Sequence, residues 1–223
     1  MSECLDLAIF DLDGTLVDSL ADLTTATNEM LAAFDRSPLA EAEVRLLVGQ
    51  GARRLVERAL PGASVAAVDR GVELFLEGNL RHLVERSALY PGVGETLAVL
   101  RERGLPMAVV SNKHVALCRQ VLALLGIGDY FAEILGADSL PFRKPSPEPV
   151  LKLLADFGVA ASRAGIVGDS INDVAAGKGA GVITVGCTWG YGGSDDLAEA
   201  DYRIDSFPQL LTLPLFCREG QGR

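Results

Sequence analysis

Histidine is scarce in this chain, with only His82 and His114 among 223 residues, so a site built from clustered histidines lacks its ligands. The four cysteines, Cys4, Cys118, Cys187 and Cys217, lie far apart and form no CxxC pair. That spacing offers neither a zinc site nor a disulfide framework, and reads instead as small hydrophobes in a reducing setting. No apolar run reaches the roughly 18 residues a membrane-spanning helix needs, and Met1-Ser2-Glu3-Cys4 is acidic where a signal peptide would be basic. A cytoplasmic protein without membrane contact is therefore expected. Positive charge is also short: 20 Lys and Arg face 30 Asp and Glu, for a net charge of −10, and no basic block stands out. That balance repels a nucleic-acid duplex, which is excluded as an expected partner. A small anionic metabolite stays compatible, provided a metal ion and a few basic side chains reverse the field locally.

What the chain has is apolar residues, at 49% against 22% charged, enough to fold one sizeable core or a core with a small appended domain. Its first hydrophobic segment, Leu5 to Phe10, runs directly into Asp11-Leu12-Asp13-Gly14-Thr15-Leu16-Val17-Asp18-Ser19. A buried strand of this kind delivers Asp11 and Asp13 together at its C-terminal tip, since residues two apart share a side. Two such carboxylates repel each other unless a cation lies between them. The plainer alternative is a simple Asp-Gly turn, with Asp18 or Ser19 capping the next helix.

Helical spacing follows at Leu20, Leu23, Thr24, Thr27, Met30, Leu31 and Phe34. Further helices are predicted over 41–48, 52–60 and 65–86, with Gly49-Gln50-Gly51 breaking the first two apart and Val68, Val72, Phe75, Leu76 and Leu80 marking one face of the last. Only helices are expected from 16 to 87. Beyond Leu89 strands and helices alternate: strands over 106–110, 133–136, 165–168, 182–185 and 202–204, helices over 95–103, 115–125, 148–157 and 175–180. The polar tail beyond Phe216 is expected to fray. Near-continuously apolar strands alternating with helices imply a parallel α/β sheet covered on both faces, which binds ligands beyond the carboxyl ends of its strands. Asp11, Ser111, Lys144 and Asp169 all fall on that side.

Four points then converge: Asp11 with Asp13, Ser111 with Asn112, Lys144, and Asp169 with Asp173. Each has a bland explanation as a helix cap or a solvated loop charge. Together they supply a nucleophile, a proton donor, hard oxygen ligands for Mg²⁺ and donors for phosphoryl oxygens, the parts that phosphoryl transfer needs.

The motifs DLDGTLVDS, a strand ending in SN, RKPSPEP and GDSINDV resemble, in order and spacing, the four motifs of the haloacid dehalogenase superfamily, phosphatase branch. The resemblance spans nearly the whole chain. It implies a Rossmann-like core over residues 1–15 and 87–223, with an inserted all-helical cap over 16–86. It implies Asp11 as nucleophile and Asp13 as general acid/base, and Ser111 and Lys144 as phosphoryl ligands. Mg²⁺ would be held by Asp11, the Asp13 carbonyl and Asp169, with Asp173 acting indirectly. Asp13 disfavours dehalogenation, because a halide leaves without a proton.

Gly49-Gln50-Gly51-Ala52-Arg53, a turn opening a helix followed by a guanidinium, is the candidate substrate-reading element with Asn112, although a plain helix-helix turn would look the same. GQGARRLVERAL, YPGVGETLAVLRERG leading into VVSNK, and TWGYG resemble the phosphoglycolate phosphatases of that superfamily. Ile171 departs from the polar residue common after GDS. The expected function is Mg²⁺-dependent hydrolysis of a small phosphorylated metabolite, 2-phosphoglycolate first. A sugar phosphate phosphatase, a phosphomutase, a pyrophosphatase and a catalytically silent binding protein stay open, as do monomer and homodimer.

Overall fold

The computed structural model describes residues 4–216. The acidic start Met1-Ser2-Glu3 and the tail expected to fray beyond Phe216, Cys217 included, lie outside them. In chain order the elements are β1 (Leu7–Phe10), β2 (Val17–Asp18), α1 (Leu20–Ala32), α2 (Glu41–Arg45), α3 (Ala52–Ala59), α4 (Val65–Arg81) and β3 (Ala88–Leu89). There follow α5 (Val93–Glu102), β4 (Met107–Val110), α6 (Val115–Leu124), β5 (Glu133–Leu135), α7 (Glu148–Phe157), β6 (Ala164–Gly168), α8 (Ile171–Ala180), β7 (Ile183–Cys187) and β8 (Tyr202–Ile204). Among the described residues no helix is long and apolar enough to cross a membrane.

Six strands form one parallel sheet in the order β5-β4-β1-β6-β7-β8. Strand side chains alternate, and β1 shows it. Ala8 and Phe10 join the core that α5 and α6 cover with Leu97, Leu100 and Val121, whereas Leu7 and Ile9 join the one that α7 and α8 cover with Leu153 and Ala176. A strand buried on both faces has to be apolar throughout, which is why the first segment reads as a continuous run. Because β4 lies on one side of β1 and β6 on the other, the strand order reverses at β1, and the crevice of such a sheet opens beyond that strand's carboxyl end.

The helices between β2 and β3 form a lobe with its own core, in which Leu23, Met30, Leu55, Val56 and Phe75 pack together. The two crossings between lobe and sheet are paired: Val17 with Leu89 and Asp18 with Ala88, antiparallel. The expectation of helices alone from 16 to 87 is corrected at this point, since a two-residue strand is too short to show a period. α4 also ends at Arg81 rather than at residue 86, and its buried face carries Gly71, Phe75, Gly78 and Asn79 while Leu80 is 51% exposed. A Cβ at Gly71 would press on Val56 and one at Gly78 on Ala26, so glycine marks the tightest contacts of this helix. A count of apolar residues passes over them and places the face one residue off.

The cysteine reading is half right. Cys118 and Cys187 are free and buried, but Cys4 is disulfide-bonded, contrary to the expectation of no bridge. Separation along the chain says nothing about which ends meet in space, and here the Leu5 N–H donates to the Leu215 carbonyl at 2.8 Å.

Asp22 in α1 locks the return crossing. Its carboxylate, almost without exposure at 1%, accepts from the Glu85 N–H (3.1 Å), the Arg86 N–H (3.0 Å), the Ser87 N–H (2.8 Å) and the Ser87 hydroxyl (2.6 Å). Burial alone would raise its pKa, but the Ser87 hydroxyl and these backbone N–H groups outweigh it and hold the acid below its ordinary value. A depressed carboxylate stabilises the fold above its unfolded pKa and loses that contribution as pH falls through the folded value. Asp22→Asn is expected to cost about 1.5–3 kcal/mol at neutral pH, the range for bonds to a charged group. For a chain of this size that is a Tm drop of about 3–12 °C, and melts at pH 7 and pH 3 should show the gap to wild type narrowing in acid.

Candidate active site

The sheet order gathers the predicted residues at one edge. Asp11 follows β1, with its N–H on the Val167 carbonyl at 2.9 Å, Ser111 follows β4, and Asp169 follows β6. Lys144, in the irregular connection before α7, is buried to 3% exposure rather than solvated. Its Nζ lies 2.9 Å from Asp11 Oδ1 and 2.6 Å from Asp173 Oδ1. The other oxygen of Asp173 accepts from the Ser170 N–H (3.1 Å) and hydroxyl (2.8 Å) at the start of α8. Both its oxygens are thus engaged within the protein.

One oxygen each from Asp11, Asp169 and Asp173 lies within 4.8 Å of the others. Burial, only partly offset by Lys144, and the nearby Asp173 push Asp11 up to about 6. Burial together with Asp173 and Asp11 pushes Asp169 up to about 7, against the N–H groups of Tyr191 and Gly192. Lys144 shows the opposite balance: burial disfavours its charge, but Asp11 and Asp173 outweigh burial and raise it. Two of the three carboxylates thus share one ammonium, and among the described residues no second cationic side chain pairs with the cluster. A hard divalent cation fits this donor set, since it relieves the repulsion and takes only oxygen ligands.

Asp169 is fixed by three protein donors. Its Oδ2 accepts from the Tyr191 N–H (2.6 Å) and the Gly192 N–H (3.2 Å), and its Oδ1 from the Thr15 hydroxyl (3.3 Å). Gly14 sits beside it at φ +86°, where a side chain would collide with the carboxylate. The glycine of the DLDG segment thus gives both the turn and the clearance.

The capping explanations fail at three positions. Ser19 stands at the N-cap of α1 but makes no cap hydrogen bond; its hydroxyl donates to Asp13 Oδ1 at 2.6 Å. Ser111 and Asn112 do not cap α6, whose Val115 N–H is taken by Asp138 at 2.8 Å. Asn112 donates both amide hydrogens to carbonyls, Gly49 in the lobe and Lys144 in the core, each at 2.9 Å, and its buried Oδ1 has no donor.

The Gly49–Gly51 turn reaches the site, with Gly49 and Gly51 lining one cavity over Asp11 and Gly49 and Gln50 lining a second. Arg53 does not reach it. Helical rotation turns Leu55 and Val56 inward and Arg53 outward, where it is half exposed and paired with Asp69. Two other lobe arginines, Arg45 and Arg58, line the second cavity, and Arg45 donates to the carbonyls of Gly190 and Tyr191.

Sequence reasoning also missed Lys113, whose Nζ contacts Asp13 Oδ2 at 3.0 Å and Oδ1 at 3.1 Å. It missed Tyr191 as well, whose hydroxyl accepts from the Ser19 N–H at 2.6 Å. Both stood inside quoted motifs, SNK and TWGYG, but neither had a role assigned.

An open parallel sheet that presents aspartates around a buried lysine, under a helical lobe inserted after its first strand, is the frame of an α/β enzyme that works with carboxylates. The sequence model of the haloacid dehalogenase-like hydrolases matches residues 5–181, and the chain belongs to that family, in its phosphatase branch. It is similar to the phosphoglycolate phosphatase of Neisseria meningitidis serogroup A, 38% identical over 218 residues and covering 93% of each chain. It is also similar to that of Pectobacterium atrosepticum, 40% identical over 210 residues, covering 92% of this chain and 90% of the other. A crystal structure of a predicted phosphoglycolate phosphatase from Haemophilus somnus superposes with a TM-score of 0.89 at 35% identity, over 93% of this chain and 97% of that one.

Proposed function

We propose that the chain hydrolyses 2-phosphoglycolate to glycolate and phosphate through an aspartyl-phosphate on Asp11. The observation that carries this reading is the meeting of Asp11, Lys144, Asp169 and Asp173 beyond the central strand, the arrangement that a nucleophile, a charge partner and a cation site would need. The names of relatives that match almost end to end support the choice of substrate. In this reading Asp11 attacks phosphorus and the ester oxygen leaves with a proton from Asp13. Asp13 then takes a proton from the water that cleaves the acyl phosphate, which regenerates Asp11. Lys144 and the Ser111 hydroxyl, whose proton has no acceptor among the described residues, hold the phosphoryl oxygens. Asp11, Asp169 and the Asp13 carbonyl would hold Mg²⁺, which supplies charge stabilisation for the transferred group when bound. Residues 16–86 act as a cap that excludes water over a core of 1–15 and 87–223.

A screen of phosphorylated metabolites by kcat/KM tests the proposal, with 2-phosphoglycolate expected well above sugar phosphates and all turnover lost in EDTA and restored by Mg²⁺. Phosphoryl transfer to a second substrate hydroxyl would replace it by a mutase, and release of two orthophosphates by a pyrophosphatase. Turnover that survives chelation would remove the metal from the scheme.

A further inference from the structure

The smaller of the two cavities over Asp11 lies between lobe and sheet and encloses ≈ 60 Å³. On that measure one water needs roughly 10–15 Å³, so the space suits a tail of a few atoms. Its walls are apolar, with Leu55, Phe75 and Leu76 from the lobe and Leu117 from α6. Four polar side chains line it besides Asp11, Asp13 and Ser111; His114 is 42% exposed and turned to Asp138 at 3.4 Å, so the other three decide what such walls can accept.

Asn112 has spent both its hydrogens on carbonyls and offers only an acceptor. Lys113 is buried to 7% side-chain exposure and gives two of its three N–H groups at most to the two oxygens of Asp13, leaving a charged donor for the cavity. Asn79 is the third. It occupies the inner face of α4 one turn after Phe75, is 3% exposed, lines the cavity, and makes no hydrogen bond among the described residues. The fully buried side-chain atoms without a partner are His82 Nδ1 and Asn112 Oδ1, so the Asn79 amide keeps access to the open space of the cavity, and a helix face that could have carried leucine there carries asparagine instead.

The geometry points to Asn79 and Lys113 as the pair that reads the leaving group, and to a carboxylate as what they read. Spare donors from an amide and an ammonium, set in apolar walls, match a short anion with several lone pairs. A polyol would bring several hydroxyl hydrogens against the single spare amide acceptor, Asn112 Oδ1, and would leave the ammonium of Lys113 without an anion. This assignment rests on the reading of Asp11 as the site of phosphoryl transfer, and it moves substrate choice from the exposed Arg53 to the inner face of α4.

The test is a ratio within each variant: kcat/KM for 2-phosphoglycolate over kcat/KM for ethyl phosphate, which has a methyl group where the carboxylate stands. Asn79→Leu and Lys113→Met are each expected to lower that ratio about 10- to 100-fold, the worth of a bond to a charged group, with the loss on 2-phosphoglycolate mostly in KM. The Tm of Asn79→Leu should not fall, because leucine leaves no unmet polar group behind. Asn79→Asp, which sets an anion opposite the carboxylate, should lower the ratio at least as far and covers the case in which the leucine variant does not fold. A ratio that stays at the wild-type value overturns the assignment, and so does a lower Tm with equal losses on both substrates, which is the mark of a purely structural asparagine. A wild-type enzyme that turns over phosphate esters with no preference for the carboxylate removes 2-phosphoglycolate itself and this assignment with it, an outcome distinct from a preference that survives in the variants.

Discussion

Asp11→Asn is expected to lower turnover by about 10⁴- to 10⁶-fold, the scale seen when a catalytic nucleophile is removed, and to abolish phosphoryl labelling of the protein under single-turnover conditions. The substitution keeps an oxygen that can accept from Lys144 Nζ, so the loss reads chemistry rather than collapse. Stability supplies an independent check. Burial raises Asp11 from 3.8 to about 6, so between those values the folded state holds a proton that the unfolded state has already lost. Without a divalent cation, stability contributed at this position therefore falls as pH rises through that window, and at pH 7 the cost of the buried charge is complete. Asn carries no such charge, and in EDTA the variant should melt no lower than wild type at pH 7. Undiminished labelling in Asp11→Asn would exclude it as the nucleophile.

Asp13→Asn should slow hydrolysis of an alkyl phosphate by about 10²- to 10⁴-fold, the usual worth of a general acid/base. An amide still accepts from the Ser19 hydroxyl and from Lys113, the two groups that orient Asp13, so substrate binding should largely persist. The distinguishing measurement uses p-nitrophenyl phosphate, whose leaving group departs as a stable anion without a proton. Rapid phosphorylation by that ester, seen as a burst of p-nitrophenol before slow dephosphorylation, is expected in the variant. Loss of the burst in parallel with the alkyl ester would mean that Asp13 does not protonate the leaving oxygen.

Much of this molecule was legible in the sequence where the pattern is local. A strand covered on both faces must be apolar throughout, so β1, β4 and β6 stood out as runs ending in polar residues. Asp11, Lys144, Asp169 and Asp173 then met because a parallel sheet brings the carboxyl ends of its strands to one edge. What escaped was set by pairing across distance or by rotation about a helix. The β2–β3 pair joins Val17 to Leu89 through two residues a side. Leu80 fell outward and Asn79 inward because glycines mark the tight contacts of α4, and Arg53 fell outward because Leu55 and Val56 take the inner face of α3. The signal for Asn79 was present, as one amide within an otherwise apolar stripe beside Phe75 and Leu76, and reading Leu80 in its stead concealed it.

The central position of β1 bears on how the chain is made. Ala8 and Phe10 need Met107 and Val109 on one flank and Gly165 and Val167 on the other. At a synthesis rate of about 5–20 residues per second, β1 waits roughly 8–30 s on the ribosome before its last neighbour emerges. Until β4 emerges a fully apolar strand has both edges open, and one edge stays open until β6 follows, the state most prone to pairing with a stranger. Charges flanking an apolar strand oppose such mispairing, and Asp11 and Asp13 stand at the tip of this one.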